Sequence, residues 1–309
     1  MAQTGTVTYQ TAGASQITAQ CEGVTSAAVP VTVTQPVPPP GGLYDRLPTG
    51  YTMPANFVCT FSNGAIDGPL AAEGSWTPFP ASGGFNQRLR DASTYNPAGA
   101  TAPRNPPGSP NSIGEVIDYA GMTLTGIAAG GMNGPSFLAN GWRGIYLCYV
   151  VQLSSNWVSH PSGVNKIGFA NINGFPMFYL TAQSAANWEL HTQDTQADPL
   201  GGQRNLTANL ASAPVTKGLW QKIQVQLVAN TPGLADGTAR AWLTNYNNAG
   251  QVTVGPTKTH EYTNVGWVGA GGNPSWQFVN WSPIFGGNTS GTLAAAQYMF
   301  MDTIALAGA

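Results

Sequence analysis

Five glutamates, Glu22, Glu73, Glu115, Glu189 and Glu261, are where a glycoside-cleaving acid–base pair would first be sought, and each stands alone. Hydrolysis of a sugar linkage needs a proton donor and a nucleophile or base on either side of the bond. Glu115 and Asp118 are three residues apart, which puts them on opposite faces of a strand. A retaining glycosidase is therefore not expected. His160 and His260 fall in loop-like stretches without a second His or Cys at metal-ligand spacing, so zinc has no support. No G-x-S-x-G elbow marks a serine nucleophile. Trp157, Trp188, Trp242, Trp267, Trp276 and Trp281 offer a different chemistry. Indole faces stack on the apolar C–H faces of sugars, while Asn, Gln and Arg bond the hydroxyls. Trp188, Trp242 and Trp276, with Arg240 alternating beside Trp242, are the candidates for a carbohydrate-binding surface. Filling the core is the competing use of such rings, and it is the one expected for Trp220.

The elements that would position these residues are strands. Only 8% of the 309 residues are charged, against ~25% in ordinary soluble proteins, and Gly (39) and Pro (24) are abundant. This favours short strands and long turns over long helices. A net charge of −2 with scattered basic residues argues against nucleic acid as a partner. No run approaches the ~20 apolar residues of a membrane span. The opening Met1-Ala2-Gln3-Thr4-Gly5 is polar and does not read as a signal peptide. Export by another route, a removed signal, or assembly inside a cell as virion proteins do all remain open. Cys59 and Cys148 both sit in strand-like runs, where they are read as buried free thiols or as a bridge.

Three segments are expected. Residues 1–34 are a Thr/Val-rich β arm, 35–42 a Pro-rich spacer, and 43–309 the main domain. Strands are predicted over 56–61, 114–119, 144–154, 165–172, 176–182, 187–192, 219–229, 239–245, 276–281 and 297–306. In 219–229, Ile223, Val225 and Leu227 alternate with Lys222, Gln224 and Gln226, the pattern of a half-buried strand. Residues 62–113 read as one long loop rich in Pro, Gly, Ala and Asn.

The last third carries a resemblance. A Gly218-Leu219-Trp220 strand, the turn Asn230-Thr231-Pro232-Gly233-Leu234-Ala235-Asp236-Gly237, a Trp242-bearing strand, Phe285-Gly286-Gly287 and a closing Tyr298-Met299-Phe300-Met301-Asp302 occur in that order. The series resembles concanavalin A-like jelly rolls, nearest to the polysaccharide lyases that cut alginate or glucuronan. The resemblance implies an all-β, two-sheet antiparallel sandwich. A lyase must neutralise a uronate carboxylate, remove the neighbouring proton and protonate the leaving oxygen. The resemblance places such groups on a concave sheet, where Lys166, Tyr179, His191, Arg240 and Tyr298 are the candidates. Phe300 stands where those lyases often have a second Tyr, and Lys166 and Arg240 read equally as solvating strand-face charges. The resemblance also implies a structural calcium, held by Asp302 with groups near Asn63 or Asp67. Residues 16–34 resemble the final hairpin of a bacterial immunoglobulin-like domain of group 2.

Three functions follow: a non-catalytic, surface-displayed sugar-binding jelly roll, a polysaccharide lyase on a uronate glycan, and a virion-decoration or filament protein. The first is the leading expectation, with neither glycosidase nor lyase activity. An extracellular, cell-surface or virion-surface location goes with it. Two or three Thr/Val strands bury too little apolar surface to offset their ordering entropy. The arm is therefore expected to add strands to a neighbouring copy, making a homo-oligomer across a spacer of roughly 25 Å.

Overall fold

The computed structural model describes residues 13–17, 20–21, 24–25, 29–33, 42–66, 68–79, 86–91, 113–118, 127–128, 131–172, 175–192, 205–206, 212–247, 249–286 and 297–309. The chain divides into two compact units, Met1–Asp45 and Arg46–Ala309. In the first, β1 (Gly13–Ile17) pairs antiparallel with β4 (Val29–Val33), and β2 (Gln20–Cys21) with β3 (Val24–Thr25). The arm strands thus pair with each other.

The second unit is built of two eight-stranded antiparallel sheets. In chain order its strands begin with β5 (Val58–Cys59), β6 (Thr77–Phe79), β7 (Asn86–Asp91), β8 (Ile113–Asp118), β9 (Ile127–Ala128) and β10 (Gly131–Ser136). The central ones are β11 (Gly144–Leu153), β12 (Asn165–Ile172), β13 (Phe175–Gln183), β14 (Asn187–Thr192) and β15 (Asn205–Leu206). The last are β16 (Gln221–Val228), β17 (Gly237–Tyr246), β18 (Val252–Val265), β19 (Trp276–Phe285) and β20 (Tyr298–Gly308). The first sheet runs β15-β14-β13-β12-β19-β10-β6, with β9 also on β19. The second runs β18-β17-β16-β11-β20-β8-β7, with β5 also on β20. Helix is limited among the described residues to single 3-10 turns at Ala55–Phe57 and Leu138–Asn140.

Alternation assigns the faces. On β13, Phe178, Leu180 and Ala182 enter one apolar cluster with Ile223, Val225 and Leu227 of β16, so the two sheets share a core. Seven tryptophans are fully or almost fully buried: Trp76, Trp157, Trp188, Trp220, Trp267, Trp276 and Trp281. Large aromatic rings bridge the ~10 Å between packed sheets. Polar hubs tie the layers together. Gln221 Oε1 accepts from Trp188 Nε1 (2.9 Å) and from the Thr216 amide (2.9 Å). Across β16–β17, Ile223 faces Leu243 and Val225 faces Ala241, but β16 is not the half-buried strand expected: Lys222 and Gln224 on its other face are also 0% exposed.

Two further expectations change. The 62–113 stretch contributes β6 and β7 and is not one long loop. β18, 14 residues long, was not read as a strand. It is an edge strand whose first residues, Val252 to Gly255, are exposed, the apolar Val252 and Val254 among them, and it carries Pro256, which an edge tolerates. Cys59 and Cys148 are free and buried. They lie on β5 and β11, on either side of β20, about 9–10 Å apart by strand spacing and beyond disulfide reach.

Candidate functional site

The outward face of the first sheet gathers the chain's reactive groups. On β13 and β14 the core takes Phe178, Leu180, Trp188 and Leu190, which turns Tyr179, Thr181, Glu189 and His191 outward. A bulge decides β12. Lys166 pairs with Thr181 and Gly168 with Leu180, leaving Ile167 as the extra residue. Ile167 drops into the core, and Lys166 and Phe169, three apart in sequence, come to the same face. Bulges re-aim side chains in this way. Gly168 is required at this point, since a Cβ there would lie 2.6 Å from the buried Tyr149 hydroxyl.

Lys166 Nζ lies 4.4 Å from the centre of the Tyr179 ring and 5.7 Å from that of Phe169, both within cation–π range. The Tyr179 ring stacks on His191 at 4.9 Å. His191 Nε2 donates to Glu189 Oε2 at 3.0 Å. A carboxylate only accepts, so the proton sits on Nε2 and Nδ1 is the basic nitrogen. Burial, and next the Glu189 charge, raise the Tyr179 pKa above its ordinary value. Its phenol is thus held protonated, as a donor.

Register extends this cluster across the sheet. Asn133 faces Asn280, Asn280 faces Phe169, Phe169 faces Tyr179, and Tyr179 faces His191. Asn280 Oδ1 is buried and has no hydrogen-bond partner among the described residues. Behind Lys166, Asn165 fixes the start of β12. Its Nδ2 donates to Ser159 Oγ and to the Ala182 carbonyl, each at 2.7 Å. Asn133 and Asn280 were not expected from the sequence. Only the pairing of β10 with β19 and of β19 with β12 aligns them with the cluster.

Lys166, Tyr179 and His191 of the lyase candidates thus meet. Arg240 and Tyr298 do not join them. Both belong to the second sheet, where Arg240 alternates with core residues Ala239 and Ala241, and Tyr298 lies 6.3 Å from Phe300. The two sheets turn their outer faces in opposite directions. Of the sugar-binding candidates, Trp188 and Trp276 are corrections. They are 2% and 0% exposed and belong to the core, because a sandwich fills its interior with its largest rings. Trp242 is half-buried and lines a depression with Arg240 on the second sheet.

Asp302 is wholly buried at a bulge of β20, its Oδ2 accepting from Thr303 Oγ1 at 2.8 Å. Asp67 lies outside the described residues. No group of three or more His, Cys, Asp or Glu is placed to hold a metal among the described residues. Calcium takes six to eight oxygens. No helix among the described residues is long and apolar enough to cross a membrane.

No family model and no curated protein matches the chain. Solved structures similar to it include alginate and glucuronan lyases, the class its C-terminal motifs resemble. The PL-14 alginate lyase from Aplysia kurodai is 16% identical over 65% of this chain and 84% of that one, with a TM-score of 0.48. The endo-β-1,4-glucuronan lyase from the fungus Trichoderma reesei is 13% identical over 74% and 89%, with a TM-score of 0.47. Alginate lyase vAL-1 from Chlorella virus is 12% identical over 77% and 94%, with a TM-score of 0.41.

Proposed function

We propose that the outward face of the first sheet binds a uronate-containing polysaccharide and cleaves it by β-elimination. The observation that carries this reading is the convergence of Lys166, Tyr179 and His191 on one half-buried face, with Glu189 behind the imidazole. Lys166 and the amide of Asn280 are suited to meet the substrate carboxylate, which lowers the acidity barrier at the adjacent carbon. His191 Nδ1 takes the proton from that carbon. The electron pair forms a carbon–carbon double bond as the bond to the leaving glycosidic oxygen breaks. Tyr179, held protonated, gives its proton to that oxygen. The uronate class comes from the resemblance of the C-terminal motifs. Phe300, which stands where those lyases often have a second Tyr, sits on the second sheet, away from this face.

The test is ultraviolet absorbance of the unsaturated uronate released from polymannuronate, polyguluronate and glucuronan. Wild type is expected to produce it from at least one polymer. Tyr179→Phe and His191→Ala should each slow it by about 10²–10⁴-fold. Binding without absorbance would return the molecule to the non-catalytic reading. In the same proposal a polymeric substrate puts the site of action outside the cell or on a virion surface, and residues 1–34 serve self-assembly. Among the described residues the β1–β4 sheet has only two strands, and a two-stranded sheet is marginal alone.

A further inference from the structure

The second sheet carries its own concentration of charge. The whole chain has 11 Lys and Arg and a net charge of −2, yet Arg46, Arg240 and Lys258 line a single depression of about 490 Å³. Glu261 is the one carboxylate in its lining, so three cations stand against one anion. Glu261 does not scatter that charge; it organises it. Oε1 accepts from Arg240 Nε at 3.0 Å and Oε2 accepts from Lys258 Nζ, so one carboxylate holds both cations at the rim. Gln226 steadies the guanidinium from the other side, its Oε1 accepting from Arg240 Nη1 at 3.3 Å while its Nε2 donates to the Tyr51 hydroxyl at 3.2 Å. The half-buried indole of Trp242 completes the wall.

We infer that this depression is a second, non-catalytic site for an acidic saccharide, on the sheet facing away from Lys166. Held guanidinium and ammonium groups match a sugar carboxylate, and an indole matches the apolar face of the ring that bears it. A neutral sugar would leave the excess cations unanswered. An acidic peptide would answer the charge and leave the indole unused. A polysaccharide lyase with such a site would hold its polymer by one face while the other reads it, raising the local substrate concentration. The inference does not depend on catalysis at the first face.

The experiment is calorimetric titration of the full chain in a Tyr179→Phe background, where consumption of substrate is slowed. The probes are an oligouronate, a neutral cello-oligosaccharide of equal length and an oligoglutamate. Two oligouronate sites per chain are expected. Arg240→Ala/Lys258→Ala, and separately Trp242→Ala, should remove one of them or weaken it by about tenfold or more. Arg46→Ala, which breaks no bond of Glu261, should weaken the same site and so separates recognition from fold. If the Lys166 face binds nothing, a single site remains and is still lost in these variants. The inference fails if all of them keep the wild-type stoichiometry and affinity. It fails equally if the cello-oligosaccharide or the oligoglutamate binds the site as tightly as the oligouronate.

Discussion

At the scale of single residues, the side chains that matter are set by what burial does to their protons. Tyr179 is kept protonated by burial and a neighbouring carboxylate, which suits a donor. His260 shows the opposite use. It is 1% exposed on β18, its Nδ1 meets Thr259 Oγ1 at 2.9 Å, and burial first of all lowers its pKa from 6.5 to about 4. Folding therefore favours the neutral ring. The unfolded chain binds the proton sooner as pH falls. This contribution to stability is complete above the unfolded value and is lost as pH drops from about 6.5 to about 4. Denaturant midpoints are expected to fall across that window in the wild type and to fall less in His260→Gln. Equal slopes in the two proteins would assign the acid sensitivity elsewhere.

At the scale of elements, turns and bulges carry more information than the strands they join. The turn between β16 and β17 is organised by Asn230, which is 0% exposed. Its Oδ1 accepts from the amides of Trp267 and Val268, both at 2.8 Å. Its Nδ2 donates to the carbonyls of Thr231 (2.9 Å), Leu234 (2.8 Å) and Val268 (2.7 Å). The Thr231 amide donates to Asp236 Oδ1 at 2.6 Å and closes the turn. Asn230→Ala would leave several buried backbone groups unmatched and is expected to cost about 3 kcal/mol, read from equilibrium unfolding. The turn was legible from its residue order, and so was the β16–β17 hairpin. The bulge at Ile167 was not. Nothing in Asn165-Lys166-Ile167-Gly168-Phe169 announces an extra residue, because a bulge is chosen by the register of both neighbouring strands, here β13 and β19.

At the scale of the whole molecule, the apolar core cluster runs from Phe57 to Leu306 and draws on both sheets. All of it lies within the unit Arg46–Ala309. Removing residues 1–42 is thus expected to leave a cooperatively folding domain, with near-UV dichroism and thermal midpoint close to those of the full chain. Mass photometry of the two proteins checks the assembly role proposed for the arm. A full-length oligomer beside a truncated monomer is expected, and equal masses would remove that role.

Composition and period were enough for a charge-poor, all-β chain with alternating strands, because each strand's pattern records locally which face meets the core. The lyase resemblance, laid over those strands, singled out Lys166, Tyr179 and His191 together with Arg240 and Tyr298. It could not say which outward faces coincide. Arg240 and Tyr298 alternate just as Tyr179 does, yet they belong to the opposite sheet, and Trp188 and Trp276 carry the same rings as Trp242 but lie in the core. Sheet membership is decided by pairings between strands far apart in sequence, such as β12 with β19 and β11 with β20. Those long-range pairings, and the bulges they select, are what separated one candidate set into two groups on opposite faces.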